Sequence, residues 1–345
     1  MTKTNILFLA FLLLILPLGL SSQNLINGAD CATYDIANDR YFISNWYDGT
    51  IVEIDNEGNH SYFASGLGIS NGTHILGDTL YSTGGFNYLD AWDLTTGSRL
   101  WRKYIGGSAQ VDGITADNSG NIFITSYSGG PGTSGDPHIY KFNLSTQTSE
   151  LYVSSGLDEI PSDLYFDEAN NRLLLVSFDI PGRVQAIDLS DASVSTVVTT
   201  PYEKLSGIER DIDGNYYISC KAGQVFRYDN DFTNPPTLIS SSPTDPCALG
   251  YNPVDNILAV PYFADNLLTL IPLIDIDGDD VLDYQDNCID DANSDQADTD
   301  EDGVGDACDN CPQVDNLDQI DTDGDLIGDF CDNCPEHVNP GQEDS

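Results

Sequence analysis

The chain has 345 residues, which is enough for one large domain or two modest ones. It contains 12 lysines and arginines against 56 aspartates and glutamates, so its formal net charge is -44 at pH 7. This charge argues against nucleic acid or an anionic membrane surface as the partner, because both attract basic proteins. It favours metal cations as ligands, or serves simply to keep the chain soluble.

The N-terminus has the pattern of a secretory signal peptide. Lys3 provides a positive start, and the apolar run Ile6–Leu18 is followed by small residues. We therefore predict a signal peptide over residues 1–22, cleaved between Gly19 and Gln23. The apolar run is short for a membrane span, and no other stretch is apolar enough to be one. The mature chain is thus expected outside the cytosol, secreted or at the cell surface, with no membrane span.

A pattern of strands and turns recurs between the signal peptide and residue 273. Two copies read "VDGITADNSGNIFITSYSGG" and "SGIERDIDGNYYISCKAGQVFRYD", in which turns rich in Asp, Asn and Gly separate β-branched and aromatic strands. Six copies start near Ala29, Ser70, Val111, Pro161, Leu205 and Asp245. Their period of about 42 residues suits a four-stranded blade. The pattern predicts an all-β, six-bladed propeller over residues 23–273.

The last copy ends at "LLTLIPL", one strand short of a full blade. The segment "QNLI", directly after the signal peptide, is predicted to supply that strand and close the ring.

The repeat resembles the gluconolactonase-like and NHL-like six-bladed propellers. Lactonases of that family bind a divalent metal at the channel mouth through a glutamate, asparagines and an aspartate. The corresponding positions here are Asp30, Asn71 and Asp112, with Asp163 one residue along; Asp30 stands where the glutamate is expected. The resemblance implies a metal-dependent lactonase or related hydrolase, whereas short polar residues at strand starts also serve simply to satisfy backbone groups. Both interpretations stay open.

Three histidines of the body, His60, His74 and His138, are assigned to variable turns. No nucleophile motif accompanies them. A Ser-His-Asp triad is therefore not indicated.

The body has three cysteines, which cannot all pair with one another. A Cys220–Cys247 disulfide is favoured, because both residues are predicted to lie on the same face of adjacent blades. Cys31–Cys247 is the rival, since Cys31 has the register of Cys247 in the neighbouring blade. A free Cys31 would act as a small buried hydrophobe.

The acidic residues concentrate in a tail, residues 274–345, which holds 25 of the 56 acids and no lysine or arginine. Asp275, Asp298 and Asp321 are 23 residues apart, and each starts a twelve-residue string with aspartate at positions 1, 3, 5, 9 and 12. Alternating carboxylates closed by one at position 12 are the ligand pattern of a calcium loop. Because such clustered charges repel one another without a cation, the pattern predicts bound divalent ions.

Three other interpretations fit less well. An EF-hand requires glutamate at position 12 and flanking helices, but here position 12 is aspartate and "CDNCP" excludes continuous helices. The pairs Cys308/Cys311 and Cys331/Cys334 have zinc-ribbon spacing, but Cys288 shares their register and aspartates suit calcium better. A merely solvated tail does not explain the 23-residue recurrence.

The strings "NSDQADTDEDGVGDACDNCP" and "NLDQIDTDGDLIGDFCDNCP" resemble thrombospondin type 3 repeats. That family forms a calcium wire with little regular secondary structure. The resemblance implies these calcium ligands: Asp275, Asp277, Asp279, Asp283 and Asp286; Asp298, Asp300, Asp302, Asp306 and Asp309; Asp321, Asp323, Asp325, Asp329 and Asp332. Asn293 and Asn316 stand in the linking positions, as further candidate ligands. It also implies the sequential disulfides Cys288–Cys308 and Cys311–Cys331.

The tail departs from the family at position 6 of the loops. The usual glycine survives only as Gly303 and is replaced by Asp280 and Leu326. Loops one and three have glycine at position 4 instead, as Gly278 and Gly324.

The 23-residue register places the first aspartate of a further loop at Asp344, while Cys334 has no partner in the register. We therefore expect the natural polypeptide to continue with more repeats.

Taken together, these patterns predict a secreted or cell-surface calcium-binding protein. The propeller would act as a binding or adhesion module on a calcium-stabilised stalk. An extracellular glycan, protein or small molecule is the expected partner, and the lactonase is the alternative.

Overall fold

A computed structural model describes residues 24–343 apart from 86, 107–109, 129–135 and 243. The predicted signal peptide lies outside the described residues. The chain divides into two compact units, with the boundary between Ile271 and Pro272. Within the described ranges, no helix is long and apolar enough to span a membrane.

The first unit consists of six antiparallel sheets in which each strand pairs with the next along the chain. Blade 1 contains β1 (Ala29–Asp35), β2 (Arg40–Asn45), β3 (Thr50–Asp55) and β4 (His60–Ala64). Blade 2 contains β5 (Ser70–Leu76), β6 (Thr79–Gly84), β7 (Tyr88–Asp93) and β8 (Arg99–Tyr104). Blade 3 contains β9 (Gln110–Ala116), β10 (Asn121–Tyr127), β11 (His138–Asn143) and β12 (Thr148–Val153).

The other three blades follow the same order. Blade 4 contains β13 (Pro161–Asp167), β14 (Arg172–Ser177), β15 (Arg183–Asp188) and β16 (Val194–Thr199), with a 3₁₀ turn at Glu168–Asn170. Blade 5 contains β17 (Leu205–Arg210), β18 (Tyr216–Cys220), β19 (Gln224–Tyr228) and β20 (Thr237–Ser241). Blade 6 contains β21 (Gly250–Asn252), β22 (Ile257–Tyr262) and β23 (Leu267–Pro272). The predicted six-bladed propeller is confirmed.

The apolar core lies between neighbouring blades. Phe123 of blade 3, for example, packs in one cluster with Leu164 and Leu173 of blade 4. The inner strands are therefore buried on both faces, and β10 is buried along its whole length, whereas the outer strand β8 has no fully buried residue. This gradient explains why the repeats read as β-branched and aromatic runs in their middle and as polar residues at their end.

The ring closes between blades 6 and 1, but not by the predicted strand. The amide of Ala32 donates to the carbonyl of Ala248 (3.1 Å), and the amide of Ala248 donates to the carbonyl of Asp30 (3.0 Å). Residues 24–27 form no strand, Gln23 lies outside the described residues, and the described part of blade 6 has three strands. The prediction for "QNLI" is wrong because side chains occupy the backbone groups of this segment: Asn45 Nδ2, for instance, donates to the carbonyl of Leu25 (2.9 Å).

The predicted Cys220–Cys247 disulfide is wrong, as is its rival, because all three propeller cysteines are free and buried. Side chains alternate along a strand, so a shift of one residue reverses the face. Ser219 is the residue of β18 that reaches blade 6, where its Oγ donates to the carbonyl of Cys247 (2.8 Å). Cys220 therefore points the other way and packs against Val176 of blade 4.

The histidines also differ from the prediction. His60 and His138 begin strands β4 and β11, and His74 lies within the innermost strand β5. None of the three lies in a turn.

The second unit begins at Pro272, the last residue of β23, and from Leu273 to the last described residue it contains turns and bends without helices or strands. Two disulfides cross-link it, Cys288–Cys308 and Cys311–Cys331, the pairs that the resemblance implies. Cys334 is free and partly exposed. The small content of regular secondary structure in this unit agrees with the predicted fold class.

Candidate functional site

The tail brings carboxylates together three times. In each loop the aspartates at positions 1, 3 and 5 each offer an oxygen within 4.8 Å of the others. These groups are Asp275, Asp277 and Asp279; Asp298, Asp300 and Asp302; Asp321, Asp323 and Asp325. Two oxygens bound to one calcium ion lie at most about 5 Å apart. The spacing is therefore that of a preformed cation cage, and it includes nine of the fifteen predicted ligands.

The same inner oxygen lacks a partner in every loop. Oδ2 of Asp277, of Asp300 and of Asp323, all at position 3, is buried and accepts no hydrogen bond within the described protein. Desolvation and the neighbouring carboxylate Asp279 raise the pKa of Asp277, and the equivalent aspartates are shifted in the same direction. An unpaired buried carboxylate oxygen is costly. Hard oxygen donors left in this state fit a calcium ion well.

The other predicted positions support the loop. At position 9, Asp306 Oδ1 accepts the amide of Thr299 (2.8 Å), and Asp283 and Asp329 make the equivalent contact. At position 12, Asp309 Oδ1 accepts the amide of Cys311 (2.7 Å), while its Oδ2 is buried without a partner. Position 12 is close enough to position 3 to raise its pKa electrostatically, so it borders the cage. The aspartate at position 9 is not part of the close groups. Its hydrogen bond instead stabilises the backbone at the start of the loop.

Each loop is tied to the following linker. Asp279 Oδ2 accepts the amide of Asn293 (2.8 Å), and Asp302 and Asp325 repeat this bond with Asn316 and Asn339. The side-chain oxygen of Asn293 accepts a hydrogen bond from Gln296 (2.9 Å). The asparagines in the linking positions are thus placed as ordering residues of the linker.

Positions 4 and 6 of every loop have a left-handed backbone. In loop three, Gly324 has φ 79° and Leu326 has φ 76°. A leucine in this conformation is strained, because its Cβ crowds the backbone. Burial of the side chain does not compensate for this strain, since Leu326 is 83% exposed.

One feature of the repeats was missed from the sequence, namely the glycine at position 8. A Cβ on Gly328 would lie 2.7 Å from Cys311 Sγ and would also overlap Asn310 of the preceding repeat, and Gly305 is in the same situation. The signal was present: the first loop, which has no earlier repeat, carries Leu282 at this position.

In the propeller, the predicted channel residues lie at a recurring β-bulge. The register of β1 against β2 shifts between Ala29 and Cys31, which leaves Asp30 as the extra residue. The innermost strands of the next four blades shift at the same place. Bulges re-aim side chains, and here they do so at one level of the channel. The channel is also tight: a Cβ on Gly113 would lie 2.6 Å from the Cα of Asp163.

The channel brings three carboxyl groups into electrostatic contact. Burial raises the pKa of Asp112 well above its usual value, and the charges of Asp30 and Asp163 raise it further. Lys221 reaches into the same region, where its Nζ donates to Cys247 Sγ (2.8 Å) and its charge counteracts the rise at Asp30. Sequence reasoning missed Lys221, because it enters from the turn after β18 and not from an innermost strand.

The side-chain amide of Asn71 is bonded to the protein at one of its two polar atoms. Its Nδ2 donates to the carbonyl of Val111, whereas its Oδ1 is buried without a partner. Among the described residues, close groups of three potential ligands from Asp, Glu, His or Cys occur only in the tail. The residues of the channel therefore do not fit a three-carboxylate metal cage, and the ammonium of Lys221 supplies positive charge there instead.

Comparisons with known proteins agree with this division. A family model described as the thrombospondin type 3 repeat matches residues 297–342. The tail carries thrombospondin type 3 repeats. Such repeats bind calcium, and the aspartate groups of this tail have the donor set and spacing for it.

The propeller has its own matches. A family model described as a beta-propeller repeat matches residues 100–132. A gluconolactonase from Xanthomonas campestris has a similar structure, with a TM-score of 0.62 at 14% sequence identity, over 72% of this chain and 87% of that chain. At this identity the similarity concerns the fold alone. No curated protein matches the chain significantly.

Proposed function

We propose that the chain is a secreted or cell-surface calcium-binding protein. In this proposal a leader, residues 1–22, precedes the propeller, residues 23–273, and the calcium-binding repeats occupy residues 274–345. The observation that carries it is the unpaired Oδ2 at position 3, which recurs in all three loops beside two further carboxylates. The disulfides also agree with an extracellular location, because they persist in oxidising compartments.

Each loop would hold its ion mainly through positions 1, 3 and 5, with position 12 alongside. Position 9 would contribute by fixing the loop backbone. The ion would supply the positive charge that the tail lacks, since no lysine or arginine follows residue 273. Loading would thus offset the repulsion between the carboxylates and make the repeats more compact.

Titration of the decalcified full chain with calcium, followed by calorimetry, tests this proposal. Asp300→Asn should remove one ion from the stoichiometry, because it changes the unpaired oxygen of loop two. Asp315→Asn is the matched control, since Asp315 is exposed and outside the loops. Wild-type protein that takes up no calcium, or two variants that behave alike, would contradict the proposal.

We infer that the propeller serves as a binding or adhesion module. The support is an aromatic group in the turns of blades 1 and 6: the ring of Tyr47 lies 5.4 Å from Trp46 and 5.1 Å from Phe263. Lys221 lies over the Phe263 ring at 5.3 Å, which connects this group to the charged channel. Tyr47 is 58% exposed, and exposed aromatic rings are common contact residues for glycans and proteins. A Tyr47→Ser variant should lose binding to the cell surface or matrix that wild-type protein retains.

The second candidate is a metal-dependent lactonase. The convergence of Asp30, Asp112 and Asp163 in the channel favours it, together with the fold shared with the gluconolactonase. Lys221 stands against it. A panel of lactones, assayed with divalent metals and with chelator, distinguishes the two: metal-dependent turnover that Asp112→Asn abolishes would establish the hydrolase, and no turnover would leave the binding module.

A further inference from the structure

The propeller contains a cavity that is lined by the residues following the β-bulges along the innermost strands. Its volume is about 420 Å³, which is within the range of small-molecule sites. All six blades contribute to its wall. The polar and aromatic residues in the wall include His74, Asp163, Glu209, Tyr34, Tyr165 and Tyr251.

The cavity has two carboxyl groups and no cation to match them. No lysine or arginine is among the described residues that line it. The two oxygens of Asp163 accept backbone amides from Leu164 (2.9 Å) and Ile208 (3.1 Å), and Glu209 Oε1 accepts the amide of Arg210 (2.9 Å). Neither carboxyl group forms an ion pair within the described chain. Burial lowers the pKa of His74 to about 4, so this imidazole is neutral and adds no positive charge.

Aromatic rings form much of the remaining wall. The hydroxyl of Tyr34 donates to Asp39 Oδ1 (2.8 Å), and that of Tyr251 donates to Asn256 Oδ1 (2.7 Å). Both phenols are thus anchored by their polar ends in positions where they line the cavity. Tyr165 adds a third ring from blade 4. Aromatic faces attract cations, and quaternary ammonium groups are bound in aromatic surroundings of this kind.

We propose that this cavity binds a small organic ammonium ion, with Glu209 as its counter-ion and the tyrosine rings as its wall. An ammonium ion matches each feature: its charge pairs with the carboxylate, and its alkyl groups contact the rings and the apolar side chains such as Ile114 and Leu249. An anionic ligand would find no lysine or arginine among the described residues that line the cavity. A bare divalent ion does not fit, because the described cavity residues do not bring three ligands together.

The protonation of Glu209 should give ligand binding at this site a characteristic pH dependence. Burial, together with the charge of the neighbouring Asp163, raises the pKa of Glu209 to about 8, although the hydrogen bond from the amide of Arg210 opposes the rise. Burial likewise raises the pKa of Asp163 to about 7. The other titratable groups that line the cavity are Cys31, Tyr34, His74, Tyr165 and Tyr251. Behind this wall, Arg210 contacts Tyr165 and the charge of Asp30 acts on Asp163. A bound cation favours the charged carboxylate, so binding should release a proton near neutral pH and should strengthen as the pH rises through 8.

The test compares choline with 3,3-dimethylbutan-1-ol, its uncharged analogue in which carbon replaces nitrogen. Choline keeps its charge at every pH, so any pH dependence comes from the protein. Titrations use the full chain in saturating calcium and about 0.15 M salt, which fills the tail loops and screens its exposed charges. We expect choline to bind at least tenfold more tightly than the alcohol, and more tightly at pH 9 than at pH 6.5. In buffers of different ionisation enthalpy, the heat should reveal the released proton.

Two variants locate the site. Glu209→Gln should weaken choline binding at pH 9 about tenfold and remove its pH dependence. Glu203→Gln is the matched control, because Glu203 is an exposed glutamate that does not line the cavity. Tyr165→Leu keeps the apolar volume but removes a ring, so it should weaken choline more than the alcohol, and it serves if Glu209→Gln does not fold. Equal affinity for the two probes, no binding of choline at millimolar concentration, or choline binding that neither variant changes would overturn the proposal. None of these outcomes depends on the calcium proposal.

Discussion

The propeller and the tail of this chain are stabilised by opposite means. In the propeller, side chains such as Phe42, Phe123 and Tyr216 are almost completely removed from solvent between blades. Among the described residues from Pro272 onward, the buried apolar side chains are Leu273, Leu282, Cys288 and Cys311, whereas Leu317 and Phe330 are 68% and 64% exposed. The described part of the tail therefore has no hydrophobic core, and its order comes from disulfides and side-chain hydrogen bonds, to which the proposed calcium ions would add.

The difference shows how a chain can be ordered without burial of apolar surface. Each tail loop uses carboxylates as acceptors for its own amides, for example when Asp298 Oδ1 accepts the amide of Glu301 (2.8 Å). These bonds fix the loop but leave like charges side by side. The propeller pairs several of its buried carboxylates with arginines, as Asp90 is paired with Arg99 and Arg102, whereas the tail repeats its carboxylates every 23 residues and has no lysine or arginine.

The largest effect should come from the propeller core. Phe123→Ala removes a ring that is 1% exposed, and we expect it to lower the free energy of unfolding by about 3–5 kcal/mol. Urea unfolding followed by tryptophan fluorescence measures this, because all three tryptophans lie before residue 102 and report on the propeller alone. Tyr62→Ala, at a 59% exposed site, is the control. If Phe123→Ala lowered the free energy of unfolding only in the presence of chelator, the propeller would depend on calcium as the tail does. The contrast between the two regions would then not hold.

A smaller effect is expected where the tail is most tightly packed. Gly328→Ala places a methyl group 2.7 Å from Cys311 Sγ, so the third repeat should lose about 1–3 kcal/mol. Hydrogen exchange followed by mass spectrometry measures the local loss. Gly341→Ala is the control, because its methyl group would meet only the flexible side chain of Glu343. Equal exchange rates in the two variants would mean that Gly328 does not pack against Asn310 and Cys311 of the preceding repeat.

The two regions should respond oppositely to pH. The pKa of Glu209 is raised to about 8 in the folded propeller, so the folded state holds a proton that the unfolded state has released. Propeller stability should therefore fall as the pH rises from about 5 to 8, at up to about 1.4 kcal/mol per pH unit. Calcium affinity of the tail should instead rise with pH, because its ligands must be ionised. Unfolding of wild type and Glu209→Gln at pH 5.5 and 8 measures the first effect. An identical pH slope in the two proteins would exclude Glu209 as its source.

The smallest effect is a gain in stability. Leu326→Gly relieves a left-handed leucine and should stabilise loop three by about 1 kcal/mol, seen as tighter calcium binding or slower exchange. The reciprocal change Gly303→Leu should weaken loop two by a similar amount, since Gly303 has φ 95°. If both substitutions shift their loops in the same direction, backbone strain is not the cause.

The structure brings nine of the predicted tail residues into close groups but does not do so for the predicted channel residues, and the reason is geometric. The ligands at positions 1, 3 and 5 are neighbours along the chain, so a periodic pattern already places them in one loop. Channel residues come from different blades, and their orientation depends on bulges that a repeat alignment does not reveal. The long side chain of Lys221 reaches the channel from a turn, which no periodicity indicates.

The cysteines show the same limit within one strand. The blade and strand of Cys220 were predicted correctly, but a one-residue error in side-chain alternation turned it away from Cys247. In the tail, the pairing implied by the family needed no such register, because each repeat places its own cysteines. Local repeats are thus read directly from the sequence, whereas contacts between blades require the structure.

The central claim is that calcium orders the tail but not the propeller. Small-angle scattering of the full chain with calcium and with chelator, combined with tryptophan fluorescence of the same samples, tests it most directly. The radius of gyration should increase in chelator, because uncompensated carboxylates repel one another, while the fluorescence of the propeller stays unchanged. Unchanged dimensions, or a loss of propeller fluorescence together with the expansion, would contradict the claim.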